Sequence, residues 1–167
     1  MKLTFSNFIL LGVLFFVIQM ISSSYAGAES DHVREDEAIN AWHEAAAVGD
    51  STAFFSMMTE NAVYLGTDES ERWDKTSMGK DLGKYFNGKR AWKFIPYNRI
   101  YTELEDKNSI LFDECLRTWM GPCKATGILT KEKGNWKISY YNLSVAVPND
   151  NVKDYTKLLP PGKILKD

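Results

Sequence analysis

Apolar positions first organise the chain between residues 31 and 50. There Val33, Ile39, Trp42 and Ala46 recur near the 3.6-residue period of a helix, and Gly49 is a natural stop. Asp50 can cap a second helix over 51–59 that turns Phe54, Phe55 and Met58 inward. The run "NAVYLGT" (61–67) reads as a short buried strand, and "SMGKDLGKYFNG" (77–88) as a short helix carrying Leu82, Tyr85 and Phe86. Glycines inside that last helix weaken it. Four strands are then expected over 93–104, 109–116, 124–132 and 136–147, joined by links of hairpin character. Residues 148–167 read as a tail with a helical turn before Pro160 and Pro161.

Helices segregated from a run of antiparallel strands define an α+β fold. We expect a curved antiparallel sheet wrapped over an N-terminal helix pair plus a third short helix, a cone with a cavity.

The first segment stands outside this pattern. Lys2 precedes the apolar run 8–21, and Ala26 and Ala28 offer small residues at the −3 and −1 positions of a cleavage site. At 14 residues the run is short for a membrane span. The expected organisation is a signal peptide over 1–28, a domain over 29–150 and a tail over 151–167. The protein is then exported, periplasmic or secreted, with no membrane association after cleavage. The net charge is −2. Only Lys2 among charged residues falls in the leader, so the balance stays mild and argues against a nucleic-acid partner.

The stretches "NAVYLGTDESERW", "YFNGKRAW", "LFDECL" and "GPCKATGILTKEKGNWKISYYNLSVAVPN" together resemble a SnoaL-like domain of the nuclear transport factor 2-like superfamily. The likeness lies in the GTD…ERW, FDE and WKI…Y.LS…PN motifs and covers roughly residues 35–150. It implies the same cone-shaped half-barrel. It leaves activity open, because this fold hosts isomerases, dehydratases, cyclases, hydrolases and non-catalytic modules.

On the last strand, alternation groups Trp136, Ile138, Tyr140, Asn142 and Ser144 on one face, expected to floor the core and then the pocket mouth. Relatives of the resembled family often carry histidine where Asn142 stands. Asparagine can bond a ligand or a neighbouring strand but is no base near neutral pH. The opposite face, with Tyr141, Leu143 and Val145, is expected to pair with a second copy in a homodimer. With Cys115 set opposite Cys123 across a hairpin, Glu114 faces Lys124; the cysteines form a disulfide or remain packed thiols. Glu114 shares the more apolar face of its strand with Ile110 and Phe112 and is expected inward.

His43 follows Trp42 and borders the apolar helix face, as a boundary residue or a base. Asp68 and Arg72, in the loop "GTDESERW" (66–73), either brace each other or meet a ligand, while Glu69, Ser70 and Glu71 are expected in solvent. Candidate catalytic residues are therefore Asp68, Glu114 and His43. Candidate ligand contacts are Tyr64, Asp68, Arg72 and Trp73 at the rim, with Glu114, Lys124, Tyr140 and Asn142 inside the cone. No histidine pair or cysteine set has metal spacing, and no phosphate loop or dinucleotide motif occurs, so no metal or cofactor is expected. The reading this supports is a pocket for a small, largely apolar molecule with a polar or anionic end, in a binding or accessory protein. The alternatives are a hydrolase, isomerase or lyase that uses pocket carboxylates with Arg72, and an oligomeric structural module.

Overall fold

The computed structural model describes residues 31–160 and 162–164. The expected leader, 1–28, lies outside the described residues. Helix α1, Val33–Val48, carries Glu35 and Asp36 in its first turn, where the helix dipole favours them. It buries Ile39, Trp42, Ala45 and Ala46, together with His43. Gly49 ends it at φ +73°. Asp50 then caps α2, Ser51–Ser56, by accepting the Ala53 amide.

Strand β1, Met58–Leu65, begins earlier than the sequence pattern implied. It turns back through the 66–71 loop into β2, Arg72–Asp74, a short strand the pattern did not reveal. Asp74 and Ser77 form a capping box at the start of α3, Lys75–Leu82, which a 3-10 turn, Gly83–Tyr85, extends. The four later strands follow as expected: β3, Ile95–Glu103; β4, Ser109–Thr118; β5, Gly121–Glu132; and β6, Asn135–Val145. The chain closes with a 3-10 turn, Asn149–Asn151, and α4, Val152–Thr156.

The sheet order is β2-β1-β6-β5-β4-β3. All neighbours are antiparallel except β1 and β6, which run parallel, so the sheet is not wholly antiparallel. The sheet curves without closing, and its concave face holds the core. Trp42 is the hub of that core, stacked on Phe54 at 4.8 Å and edge-on to Tyr141 at 4.8 Å. Fully burying a side chain of this size contributes roughly 1.5–3 kcal/mol.

Two bulges decide which side chains face inward. In β6, Ile138 pairs with Leu129 and Tyr140 with Ile128, so Ser139 is the extra residue. Its hydroxyl donates to the Ile128 carbonyl at 3.0 Å and accepts from Thr130 at 2.8 Å. Alternation therefore reverses across Ser139. Ile138, Tyr141 and Leu143 are buried, while Tyr140 and Asn142 stand on the opposite face of the sheet. The expected floor of Trp136, Ile138, Tyr140, Asn142 and Ser144 is corrected accordingly, and Tyr141 and Leu143 belong to the core rather than to an outer face. In β3, Tyr97 pairs with Cys115 and Ile100 with Asp113. Asn98, at φ +51°, and Arg99 together oppose Glu114.

The β4–β5 hairpin also differs from expectation by one residue. Thr118 pairs with Gly121 around a two-residue turn, so Leu116 faces Cys123 and Cys115 faces Lys124. The Thr118 hydroxyl tightens the turn by donating to the Gly121 carbonyl at 2.9 Å and accepting the Met120 amide at 3.0 Å. Cys123 is buried beside Leu116, and Cys115 points the other way with Lys124; both thiols are free. Opposite faces of one sheet cannot be bridged by a disulfide.

Candidate functional site

A polar cluster and a largely apolar cavity lie on the concave side. The first surrounds Glu114, which is 1% exposed. Its Oε1 accepts from His43 Nε2 at 2.8 Å and from the Tyr141 hydroxyl at 3.2 Å. Its Oε2 accepts Arg99 Nε at 2.9 Å and Nη2 at 2.7 Å. Arg99 also donates to Asp36 at 2.6 Å and to Asn40 at 3.0 Å, tying β3 to α1. Tyr101 donates to the same Asp36 oxygen at 2.7 Å. The β3 bulge is what aims Arg99 inward.

Burial pushes Glu114 up. The hydrogen bond and charge of His43, together with Arg99, outweigh it and hold the carboxyl below the usual carboxylate range. Burial raises Tyr141, and the Glu114 charge adds to the effect. The carboxylate is thus ionised and bonded at both oxygens, a saturated brace between helix and sheet.

The second region is a cavity of about 340 Å³ at the mouth of the sheet, within the range of small-molecule sites. Tyr64, Leu143 and Leu82 form its apolar base, and Trp73, Trp92 and Phe94 its walls. Trp119 and Met120, at the β4–β5 turn, reach its edge, where Trp119 is 82% exposed. Trp73 Nε1 donates to Asp81 at 2.9 Å, which fixes the indole ring.

Gly49 positions the opposite wall. A Cβ there would lie 1.7 Å from the Lys89 carbonyl oxygen, so only glycine permits this approach. Hydrogen bonds from Gly88 to the Gly49 carbonyl and from Ala91 to the Ala46 carbonyl then hold the segment that delivers Trp92 and Phe94.

The polar equipment of this cavity is sparse. Tyr64 stacks on Tyr141 at 5.5 Å, yet its hydroxyl makes no hydrogen bond among the described residues, whereas that of Tyr141 meets Glu114. Burial and the charge of Glu71 raise Tyr64 well above the usual phenol range. Glu71 lines the cavity and is half-buried, not solvated as expected. A second, smaller cavity of about 210 Å³ lies beside α1, and its lining includes Asn40, His43, Glu44, Lys93, Phe94 and Pro96. Phe94 separates it from the aromatic cavity.

The sequence-based candidates divide among these places. Tyr64 and Trp73 line the aromatic cavity. His43 and Glu114 meet beneath it, in the saturated cluster. Asp68 accepts from the Ser70 amide at 2.9 Å and from its hydroxyl, which lowers its pKa and braces the loop. No ion pair joins Asp68 to Arg72 among the described residues, and Arg72 is exposed, paired with Leu65 on the far side of β1 from the cavity. Lys124, Tyr140 and Asn142 are on the convex face, for the register and bulge reasons given above. Arg99 and Asp36 in the cluster, and Glu71 and Trp92 at the cavity, are residues that pattern alone did not single out. A buried glutamate demands a cation, and the strand pairing of 93–104 with 109–116 would have put Arg99 within reach.

Residues 36–148 match the family model of a SnoaL-like domain. Among solved structures, the chain is similar to a candidate dehydratase of the NTF2-like family from Streptomyces avermitilis, with 13% identity, 73% of this chain and 100% of that one covered, and a TM-score of 0.59. It is also similar to an NTF2-like protein of unknown function from Pseudomonas putida KT2440, with 11% identity, coverage of 73% and 92%, and a TM-score of 0.57. A protein of unknown function with a cystatin-like fold from Nostoc punctiforme shares 10% identity, with coverage of 71% and 93% and a TM-score of 0.52. At such identities the likeness is one of fold. No curated protein matches the sequence.

Proposed function

The chain belongs to the SnoaL-like domain family, and from that premise we propose that it binds a small, largely apolar organic molecule in the aromatic cavity. The observation that carries this reading is the unspent capacity of that cavity. Its walls are Trp73, Trp92 and Phe94, and the Tyr64 hydroxyl at its base has no hydrogen bond among the described residues. Tryptophans in the wall make binding visible. Quenching of tryptophan fluorescence and a raised Tm are expected for members of a library of small aromatic and aliphatic compounds. No quenching and no thermal shift across such a library counts against a binding role.

A second reading rests on His43. One ring nitrogen bonds Glu114, and the residue lines the smaller cavity. A histidine oriented by a buried carboxylate can move a proton, as a lyase or isomerase of this fold would require. The candidate dehydratase from Streptomyces avermitilis is in keeping with it. Turnover lost in His43→Gln and kept in Trp92→Leu would favour this reading; ligand binding without turnover by the wild-type protein favours binding.

We also propose export after cleavage near Ala28, supported by the apolar run 8–21 and the small residues after it. N-terminal sequencing of protein from the native compartment tests it, and an intact Met1 rejects it. Homodimer formation through the convex sheet face is likewise proposed. Its support is exposed apolar surface on β3, with Ile100 59% and Ile95 48% exposed. A monomer mass by light scattering at micromolar concentration would refute it.

A further inference from the structure

The cavity reading leaves open what sort of molecule enters, and the lining narrows it. Among the described residues no lysine, arginine or histidine lines the cavity, while Glu71 does. Six aromatic rings line it as well: Tyr64, Trp73, Tyr85, Trp92, Phe94 and Trp119. Aromatic faces carry negative quadrupole density and attract cations, tryptophan most strongly. Resting on the ligand-binding reading above, we infer that the occupant is a small organic cation, a protonated amine or quaternary ammonium on an apolar body.

Glu71 is held for this task. Its Oε2 accepts the Asp68 amide at 3.1 Å, and its carbonyl accepts the Gly66 amide at 3.0 Å. A Cβ at position 66 would lie 2.1 Å from Oε2, so glycine there lets the carboxylate lie flat against the end of β1. Glu71 forms no ion pair among the described residues, and its Oε1 takes no hydrogen bond there, so its charge is uncompensated beside the rings. Asp81, bonded to Trp73 Nε1, places further negative charge behind one wall. At the rim, Lys84 Nζ lies 5.2 Å from the Tyr85 ring centroid without lining the cavity, so one ring of the set already attracts an ammonium group. Among the described residues the lining offers an anion no cationic side chain, and Lys84 at the rim is engaged with the Tyr85 ring. The anionic end that Arg72 was expected to meet has no cation here, because Arg72 lies away from the cavity.

The experiment is a titration of the full-length chain at pH 7, read by tryptophan quenching and thermal shift, with three probes. They are phenyltrimethylammonium, its neutral isostere tert-butylbenzene, and benzoate. The cation is expected to bind roughly tenfold tighter than the isostere, with benzoate weakest. Glu71→Gln should lose most of that preference while keeping tert-butylbenzene affinity within about twofold. Should tert-butylbenzene bind as tightly as the cation or tighter, the cation inference falls and the cavity reading stands. Binding by none of the three probes overturns both. An equal loss of cation and isostere in Glu71→Gln makes Glu71 a loop brace and removes it from the inference. The wild-type comparison decides the ligand class even if that variant fails to fold.

Discussion

Two tyrosines stack against each other in this protein and live in opposite circumstances. Tyr141 donates to a carboxylate already held by His43 and Arg99. Tyr64, one strand over, turns its hydroxyl toward an aromatic cavity and bonds nothing among the described residues. Around Tyr141 the charged groups are paired with one another and tie helix to sheet, while the N–H of the Trp42 indole packed against it has no partner among the described residues. The region around Tyr64 is a mostly apolar cavity in which the Tyr64 hydroxyl and Glu71 Oε1 take no hydrogen bond among the described residues, and this contrast supports the ligand-binding reading. On the ligand-binding reading, the buried charges brace helix against sheet and the aromatic cavity receives the molecule.

The largest expected effect falls on the saturated region. Arg99→Met leaves Glu114 and Asp36 short of their cation, and should cost about 3–5 kcal/mol in chemical denaturation. A cost under about 1 kcal/mol would mean that the cluster contributes little and would blur the contrast. Next comes the same substitution made at both tyrosines. Tyr141→Phe removes a hydrogen bond to a charged group and should cost about 1.5–3 kcal/mol. Tyr64→Phe should change stability by less than about 0.5 kcal/mol and show itself in ligand titrations. Equal stability losses would break the comparison.

Acid sharpens it further. The pKa of Glu114 is lowered in the folded state, so its stabilisation is complete above the ordinary glutamate value near 4.3 and is lost as pH falls through the lower folded value. Wild-type stability should therefore fall more steeply below about pH 4.3 than that of Glu114→Gln. Parallel pH profiles would deny Glu114 this role. The smallest effect is expected from reductant. With Cys115 and Cys123 on opposite faces, the Tm should be unchanged by dithiothreitol, and unreduced mass spectra should show two free thiols.

Much of the fold was legible in the sequence because it depends on period and punctuation. The stripe through Val33, Ile39, Trp42 and Ala46, the stop at Gly49 and the cap at Asp50 each act over one or two turns of chain. Glu114 could be placed inward because Ile110 and Phe112 share its face and no bulge interrupts β4. The misses arose where a single residue resets the count. Ser139 reverses β6, the tight Trp119–Met120 turn moves the cysteines out of register, and the Asn98–Arg99 bulge turns a strand arginine inward. Apolar alternation carries no mark of such events. Glu71 was missed for a different reason. Its side chain folds back over Gly66, a contact five residues long that a reading of "DESER" as a charged loop does not reveal.

The extra residue at Ser139 also bears on how the gene can drift. Ser139 has no partner across the strands, so loss of its codon alone would close the bulge with Ile138 still opposite Leu129 and Tyr140 still opposite Ile128, and Tyr141 would stay beside Glu114. A residue gained or lost among the paired positions of β6 has no such slack and would exchange inside for outside along the rest of the strand.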